Sequence, residues 1–268
     1  MDVNKVLYIS QEITPYLNPS DMATFGRMLP QGIRETGMEV RTFMPRYGAI
    51  NERRNQLHEV IRLSGLNIVI DDTDHPLIIK VATLQPSRMQ VYFIDNDDYF
   101  LRHSSDGLET ETIFEENDER TIFFVRGVLE TAKKLRWIPQ IIHCTGWITA
   151  LTPAYLKTIY ADDPAFADAK IVYSLFSRPF EGTFDARMYE KLIMDGFRPE
   201  QLKALADGPV DYKALNRFGM DYADAIAISS PGVDEDLIEY ARRTGKPLLE
   251  YPGESGFEQA YADFYRSL

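Results

Sequence analysis

The residues with the clearest chemical potential follow short apolar runs. Ile141–Cys144 predicts a buried strand, and Trp147 opens the helical pattern that follows it directly. In open α/β sheets, ligands bind where the carboxyl ends of such strands meet helices. Arg46, Arg178 and Glu181 also follow predicted strands. Because aromatic rings and forked polar groups suit sugars, these residues predict a carbohydrate cleft. The alternative is that Trp147 packs under the start of its helix.

No residue pattern indicates a metal or a cofactor. His58, His75 and His103 show no metal-ligand spacing, so we expect them to be solvated surface histidines. The acidic run 71–74 lacks the glycine and the terminal glutamate of a calcium loop, and it predicts a solvated β-turn. Cys144 is the only cysteine and lies inside an apolar run. This position favours a buried structural thiol over a nucleophile.

The elements that must position these residues alternate between strands and helices. Val6–Ser10 predicts a first strand, and apolar residues at three- and four-residue spacing predict a helix from about Met22 to Thr36. The later strands are predicted at Val40–Met44, Ile141–Cys144, Lys170–Leu175, Asp224–Ser229 and Pro247–Tyr251. The later helices are predicted at Glu119–Arg136, at Trp147–Ile159, at Val233–Thr244 with Pro231 opening it, and from Phe257. This alternation is typical of an α/β fold with a doubly wound, mostly parallel Rossmann-like sheet, with Val6–Ser10 in or near its centre.

One stretch, about residues 55–95, has a different pattern. Its short, β-rich, turn-separated runs are Val60–Leu63, Leu66–Ile70, Leu77–Val81 and Val91–Ile94. They predict a small insertion of antiparallel strands added to the sheet. The acidic, polar stretch Arg102–Glu119 is predicted to be a mobile surface loop. Because there is no repeat and no obvious linker, residues 1–268 are predicted to form a single domain.

The composition disfavours two classes of partner. The chain has 268 residues, with 29 basic against 41 acidic side chains and a formal net charge of −12. Such a surface repels nucleic-acid phosphates and anionic lipid, so neither nucleic acid nor membrane is an expected partner. The N-terminus has no basic stretch followed by a long apolar run, and no segment is long and apolar enough to span a bilayer. We therefore expect a cytoplasmic protein.

The segment 141–156 also resembles a family signature. It is similar to the strand-and-helix signature of the bacterial glycogen and starch synthases, which transfer glucose from ADP-glucose to an α-1,4-glucan. The matching positions are His143, Trp147, Thr149, Ala150, Leu151, Pro153, Tyr155 and Leu156. Further stretches resemble the family in the same order, namely Val6–Pro15, Leu29-Pro30 with Gly37, Met44–Tyr47, Phe93–Asn96 with Tyr99, Phe100 and Arg102, Asn117–Phe124, Phe218–Asp224 and Ser229–Pro231. The resemblance covers about residues 5 to 238 and implies the N-terminal Rossmann-like domain of a two-domain, GT-B enzyme.

Several positions within this resemblance carry different chemistry. Gly146 stands where the family has Asp, Ile148 where it has a second His, and Phe176 where it has the His beside the transferred sugar. The family's donor-binding loop Lys-Thr-Gly-Gly-Leu is replaced by Asn18-Pro19-Ser20-Asp21-Met22. Ser20 or Asp21 is expected to cap the following helix, and so to occupy the N–H groups that a phosphate would need.

The resemblance implies a set of candidate substrate-binding residues and no catalytic residue: Glu12, Arg46, Tyr47, His143, Trp147, Arg178 and Glu181. The reactive positions differ, and the family's C-terminal nucleotide-sugar domain is expected to be absent from residues 1–268. We therefore expect a non-catalytic protein of glycogen metabolism that binds α-glucan or a partner enzyme, with no cofactor and no metal. One alternative is half of an ADP-glucose-dependent α-1,4-glucan glucosyltransferase that needs a separate C-terminal domain. Another is an enzyme of a different class that uses the cleft for another sugar or a nucleotide.

Overall fold

A computed structural model describes residues 3–101 and 115–268 of the chain, which form both strands and helices. The strands are β1 Lys5–Ser10, β2 Glu39–Pro45, β3 His58–Glu59, β4 Leu66–Ile70, β5 Thr73–Leu84, β6 Met89–Asp95, β7 Ile141–Thr145, β8 Lys170–Leu175, β9 Ala225–Ile228 and β10 Leu248–Leu249. The helices are α1 Asp21–Glu35, α2 Glu52–Asn55, α3 Asp97–Phe100, α4 Asn117–Lys134, α5 Thr152–Lys157, α6 Met188–Met194, α7 Lys203–Ala206, α8 Tyr212–Tyr222, α9 Glu235–Arg243 and α10 Phe257–Ser267. Short 3-10 turns cover Trp147–Thr149 and Pro199–Gln201.

The described strands form a ten-stranded sheet in the order β10-β9-β8-β7-β1-β2-β6-β5-β3, with β4 paired to β5 beside this path. From β10 to β6 all neighbouring strands run parallel. The predicted α/β class with a doubly wound, mostly parallel sheet is therefore confirmed, and β1 lies near the middle, as predicted. From β1 the chain builds outwards to β2 and β6 on one side and to β7 through β10 on the other. The strand order thus reverses at β1, where doubly wound sheets form a ligand-binding crevice at the carboxyl ends of the strands.

The predicted antiparallel insertion is present, although one of its strands is not. β4 and β5 form a hairpin whose two loop residues, Asp71 and Asp72, have φ values of 48° and 59°. Positive φ at both central residues is the geometry of a tight hairpin turn, so the predicted β-turn is confirmed. The predicted strand Val60–Leu63 is wrong. The N–H of Leu63 donates to the Val60 carbonyl at 2.8 Å, and Ile61 is 82% exposed, because this segment turns towards β4 and buries only its end.

Alternate residues of the central strands face two different cores. Val6 and Tyr8 of β1 face the core that α1 and α10 cover, whereas Leu7 and Ile9 face the core that includes α4. This separation follows from the two-residue period of a strand. Helices therefore cover both faces of the sheet, and strand ends carry side chains to both sides.

The start of α9 differs from the prediction. Pro231 does not open this helix, because Gly232 follows it with a φ of 75°, outside the helical region. Asp234 is the N-cap instead, and its carboxylate accepts from the N–H of Asp236 at 2.9 Å. A side-chain cap that satisfies these N–H groups defines the helix start better than the proline does.

Two further segments differ from their predictions in extent. The predicted helix Trp147–Ile159 starts as a 3-10 turn and becomes α5 only at Thr152. Residues 102–114, which include His103 and most of the predicted loop, lie outside the described residues, and α4 already begins at Asn117. Among the helices of the described ranges, none has both the length and the apolar character to cross a membrane.

Candidate functional site

A cleft of about 580 Å³ lies beside the carboxyl ends of β1, β2 and β8. We call it the open cleft. It is lined by Glu12, Thr14, Pro15, Tyr16, Leu17, Asn18, Pro19, Arg27, Ala49, Asn51, Arg54, Asn55 and Arg178. Two of the predicted binding residues, Glu12 and Arg178, meet here with the altered position Asn18. The cleft therefore lies where the strand order predicts a ligand site.

Glu12 is the buried carboxylate of the open cleft. One of its oxygens accepts a hydrogen bond from Ser20 Oγ at 2.6 Å, and the other lies 3.5 Å from Arg178 Nη2. The Glu12 side chain is 3% exposed, whereas that of Arg178 is 30% exposed. A carboxylate held from two sides keeps one orientation, which places a defined acceptor beside a guanidinium donor.

Ser20 connects this carboxylate to the start of α1. Its Oγ accepts from the N–H of Ala23 at 3.0 Å while donating to Glu12. The predicted cap is thus confirmed for Ser20, and Asp21 is the exposed first residue of the helix. Further along α1, a Cβ on Gly26 would lie 2.3 Å from the Glu12 carbonyl oxygen. Glycine at this position is what lets α1 pack directly against the Glu12 backbone.

The altered positions Gly146 and Ile148 lie beneath the loop that carries Glu12. Gly146 has φ 89° and ψ 160°, a conformation that essentially only glycine adopts. A Cβ on it would lie 2.5 Å from the Cβ of Gln11. The side-chain oxygen of Gln11 accepts from the N–H of Ile148 at 3.3 Å, and Ile148 is fully buried. The side chain of Gln11 therefore fills the space that an Asp at position 146 would need.

His143 lies in a chain of hydrogen-bonded side chains beneath α10, on the face of the sheet that α1 and α10 cover. We call it the buried polar chain, and its members are Tyr8, His143, Ser174, Ser229, Tyr261 and Tyr265. His143 Nδ1 lies 2.5 Å from the Tyr265 hydroxyl, and Nε2 lies 2.5 Å from Ser174 Oγ. The chain continues from Tyr265 to Tyr8 at 3.1 Å. At the other end, Ser229 Oγ lies 2.9 Å from Ser174 Oγ and 2.6 Å from the Tyr261 hydroxyl.

The environment of His143 keeps its ring neutral. Burial lowers the pKa of His143 from 6.5 to about 3, because the charged form loses its hydration and no carboxylate of the described residues compensates for it. A neutral ring with its hydrogen on Nδ1, an assignment made from the network, donates to Tyr265 and accepts from Ser174. Both ring nitrogens are then satisfied inside the core. His143 is fully buried, so a substrate would contact it only if α10 moved.

Phe176 and Trp147 are both packed into aromatic clusters. Phe176 is 2% exposed, and its ring packs edge-on against Phe25 at 5.1 Å. Trp147 is equally buried and meets the rings of Phe180 at 5.2 Å and Phe184 at 5.6 Å. The structure thus places Trp147 under the loop that follows β8, in the packing role that the sequence left open.

The remaining candidate residues lie apart from the open cleft. Arg46 is buried in an ion-pair network, with Nε 3.2 Å from Asp95 and 3.0 Å from Glu52. Lys80 lies 2.8 Å and 2.7 Å from the same two carboxylates. Although burial opposes the charge, hydrogen bonds to these carboxylates raise the pKa of Lys80.

Tyr47 and Glu181 represent opposite degrees of burial. Tyr47 is 1% exposed and packs edge-on against Phe100 at 6.1 Å. Glu181 is exposed in the loop after β8, and it is not among the residues that line the open cleft. Of the candidate set, the structure therefore brings only Glu12 and Arg178 together at this cleft.

Two predictions about single residues have opposite outcomes. Cys144 is buried, and burial raises the pKa of its thiol to about 12, as expected of a structural cysteine. His58 is exposed, but His75 is buried and lies 2.9 Å from the Tyr99 hydroxyl, so the surface prediction is wrong for His75. Within residues 3–101 and 115–268, no group of three or more His, Cys, Asp or Glu side chains has an arrangement that could hold a metal ion.

Sequence reasoning missed two arginines of the open cleft. Arg27 lies on α1 and Arg54 on the short helix α2, and both line the cleft. Neither belongs to a stretch of the family resemblance. The only signal that could have found them is their position near the carboxyl ends of β1 and β2, which becomes informative once the strand order is known.

The fold is that of the Rossmann-like domains of GT-B glycosyltransferases. The chain belongs to the starch synthase catalytic domain family, whose model matches residues 5–249. This match confirms the family resemblance predicted from the motifs. Helix α10 lies beyond the matched residues.

Three known proteins illustrate the similarity. The chain is 36% identical over 251 residues to a glycogen synthase of Chlorobium chlorochromatii, covering 92% of this chain and 50% of that protein. It is 37% identical over 235 residues to a glycogen synthase of Chlorobaculum parvum, covering 87% of this chain and 47% of that protein. The catalytic domain of starch synthase IV from Arabidopsis thaliana, solved with ADP and acarbose, shares the fold with a TM-score of 0.74 at 17% identity, over 93% of this chain and 51% of that one. The chain thus spans about half the length of the curated relatives it matches.

Proposed function

We propose that this chain is a cytoplasmic, non-catalytic member of its family that binds α-glucan in the open cleft. The observation that carries this proposal is the burial of Phe176, packed against Phe25 at the position where the family resemblance expects the His beside the transferred sugar. The open cleft remains available next to this altered centre. Binding without transfer is the function that combines both features.

The absence of glucosyl transfer follows from the chemistry of the altered positions. A phenyl ring offers no hydrogen bond to a sugar hydroxyl and no stabilisation of developing charge. Gly146 and Ile148 replace two further polar side chains of the family signature. Because loss of a single electrostatic stabiliser typically reduces the rate by about 100- to 1000-fold, the combined loss removes useful catalysis.

The donor side of the family site is altered as well. The Ser20 hydroxyl already accepts from an N–H group of the first turn of α1, a group that a bound phosphate would otherwise engage. Asp21 adds a negative charge at the same helix end. Both features disfavour the diphosphate of a nucleotide sugar at this loop.

The open cleft suits a hydroxyl-rich ligand. It presents donors from Arg27, Arg54 and Arg178, an acceptor from Glu12, and groups that do both from Asn18 and Asn51. Its volume of about 580 Å³ lies within the range of small-molecule clefts. A glucan of a few residues offers hydroxyls to both the donors and the acceptors.

A second candidate is half of an ADP-glucose-dependent α-1,4-glucan glucosyltransferase that acts with a separate C-terminal domain. The coverage of the relatives favours it, because this chain corresponds to about half of each glycogen synthase. Binding of a glycogen-metabolism enzyme instead of glucan is the other non-catalytic role that the sequence predicts. Two experiments separate glucan binding without transfer from glucosyl transfer.

The first experiment measures binding of maltoheptaose by isothermal titration calorimetry. We expect binding by the unmodified chain and at least about tenfold weaker binding by Arg178→Ala, since a hydrogen bond to a charged group contributes about 1.5–3 kcal/mol. The matched control is Arg243→Ala, which removes an exposed arginine from the last turn of α9. No binding of maltoheptaose, or equal binding by the two variants, would contradict the assignment of the cleft.

The second experiment measures incorporation of labelled glucose from ADP-glucose into maltoheptaose. The chain is assayed alone and with the separately expressed C-terminal half of the Chlorobium chlorochromatii glycogen synthase, and the intact relative is the positive control. We expect no incorporation in either case. Incorporation only after addition of the second half would establish the alternative, and incorporation by the chain alone would contradict both proposals.

A further inference from the structure

A second pocket lies at the opposite edge of the sheet, beside the amino-terminal ends of β2 and β6. It has a volume of about 330 Å³, and its lining includes Arg34, Arg41 and Arg88 together with Tyr92 and Trp137. We call it the basic pocket. Three arginines around one small pocket contrast with the net charge of −12 of the whole chain.

The aromatic residues hold Arg41 in place. Its Nη1 donates to the Tyr92 hydroxyl at 3.0 Å. Its guanidinium carbon lies 5.1 Å from the centre of the Trp137 ring and 5.9 Å from that of Tyr92. A guanidinium held near two rings loses little further rotamer freedom when it binds an anion.

Arg34 and Arg88 are also constrained at the rim of the pocket. Arg34 Nη1 donates to the backbone carbonyl of Ser87. Arg88 has a φ of 54° in the turn between β5 and β6, a left-handed conformation that is uncommon for a residue with a Cβ. The β5–β6 turn therefore brings Arg88 next to the end of α1, where Arg34 lies.

None of these arginines is paired with a carboxylate among the described residues. Arg34, Arg41 and Arg88 form no salt bridge in the described ranges, whereas Arg126 and Arg187 each pair with an aspartate. The single acidic residue in the pocket lining, Glu39, accepts from Trp137 Nε1 at 3.0 Å. The lining thus carries three positive charges against the one negative charge of Glu39, which leaves an excess of positive charge in the pocket.

We propose that the basic pocket binds a small phosphate-bearing anion, such as a phosphate ester or a pyrophosphate. Guanidinium groups present paired N–H donors that match phosphate oxygens, which favours phosphate over a simple monovalent anion. The volume favours a small molecule over a protein segment. The pocket lies on the edge of the sheet opposite the open cleft, so this ligand is distinct from the proposed glucan.

The test is isothermal titration calorimetry of the full chain with inorganic pyrophosphate at low ionic strength. The double variant R34Q/R88Q removes two exposed arginines of the pocket. The matched control R62Q/R243Q makes the same charge change at two exposed arginines elsewhere. We expect binding by the unmodified chain, about tenfold or greater weakening in R34Q/R88Q, and less than about twofold change in the control. Added salt should weaken binding because the pocket is partly exposed.

The two proposed sites are tested independently. Maltoheptaose affinity should be unchanged in R34Q/R88Q, and pyrophosphate affinity should be unchanged in Arg178→Ala. Absence of pyrophosphate binding at millimolar concentration overturns the proposal, and so does equal weakening in the two double variants, which indicates non-specific attraction. Binding of a decaglutamate peptide without binding of pyrophosphate also overturns it, in favour of an acidic protein partner. Circular dichroism melts of each variant show that the comparison is made between folded proteins.

Discussion

The buried polar chain lies within the central strands and the open cleft lies beyond their carboxyl ends, and polar side chains are enclosed in the first but accessible in the second. In the buried polar chain, His143 is enclosed by α10 and bonded through both ring nitrogens. In the open cleft, Arg178 remains 30% exposed while it holds the buried Glu12. Both His143 and Glu12 match letters of the same family pattern. A match to a motif therefore identifies a family residue. The surroundings of that residue in the fold decide whether it stabilises the core or can contact a ligand.

The pH dependence of stability tests this comparison most strongly. Below the ordinary pKa of 6.5 the unfolded chain protonates His143, whereas the folded chain resists protonation down to about pH 3. The unfolded state thus binds more protons in this window, so stability falls as the pH falls from about 6.5 to about 3. This pKa shift lowers the free energy of unfolding by about 5 kcal/mol when the pH has fallen to about 3.

Urea denaturation at a series of pH values measures this effect. His143→Gln should be less stable than the unmodified chain near pH 7, but the difference should shrink as the pH falls. Contributions from carboxylates cancel in the comparison. Parallel stability curves for the two proteins would show that the ring of His143 is accessible to protons in the folded state, and would remove the contrast with the open cleft.

Gly146→Asp restores the family residue at the junction between the two regions. We expect it to destabilise the fold by about 3 kcal/mol, because the conformation of Gly146 disfavours any Cβ and Gln11 occupies the required space. Gly146→Ala should lose nearly as much, which separates the steric effect from the charge. Urea midpoints measure both changes. An Asp variant as stable as the parent would mean that the loop after β7 repacks easily.

Tyr265→Phe removes one hydroxyl from the buried polar chain. It leaves His143 Nδ1 and the Tyr8 hydroxyl each without a partner, so we expect a loss of about 1–3 kcal/mol. Tyr251→Phe is the control, because the Tyr251 hydroxyl makes no hydrogen bond to the described residues. Maltoheptaose affinity should be the same in both variants. A change of affinity in Tyr265→Phe would show that the two regions are coupled.

Ser20→Ala tests the open cleft by a smaller change. Loss of the cap on α1 should destabilise the fold by about 1 kcal/mol. Glucan affinity should also fall, because Glu12 loses the hydroxyl that orients it. Asp21→Ala should change stability by only a few tenths of a kcal/mol, as expected for an exposed charge at a helix start. Thermal denaturation measures the stability of both variants, and calorimetry measures their glucan affinity. A larger loss of stability in Asp21→Ala than in Ser20→Ala would assign the cap to Asp21.

Much of the fold was predictable from local pattern. The strands Leu66–Ile70 and Lys170–Leu175 match their predicted ranges, since apolar residues at a regular period report burial directly. The errors fall where local pattern is ambiguous. Val60–Leu63 is apolar but turns, and Pro231 precedes a glycine whose positive φ displaces the helix start. The family resemblance could also be recognised from the sequence, because the matching residues occur along most of the chain.

The candidate site was only partly predictable. Glu12 and Arg178 are 166 positions apart, and Arg54 lies outside every motif, so their proximity depends on the order of β1, β2 and β8. Likewise, the residues around His143 do not indicate that Tyr265 of α10, 122 positions later, covers it.

The sequence by itself determined the α/β class, the central first strand, a side-chain cap at Ser20 or Asp21 and the altered chemistry at Gly146, Ile148 and Phe176. These features depend on local periodicity, on single side chains and on residue identity. Only the tertiary structure decided that His143 is enclosed and Glu12 faces a cleft. The reason is physical: the burial of a side chain is set by elements that pack against it from distant parts of the chain. Helix α10 covers His143, whereas Arg178 beside Glu12 remains 30% exposed.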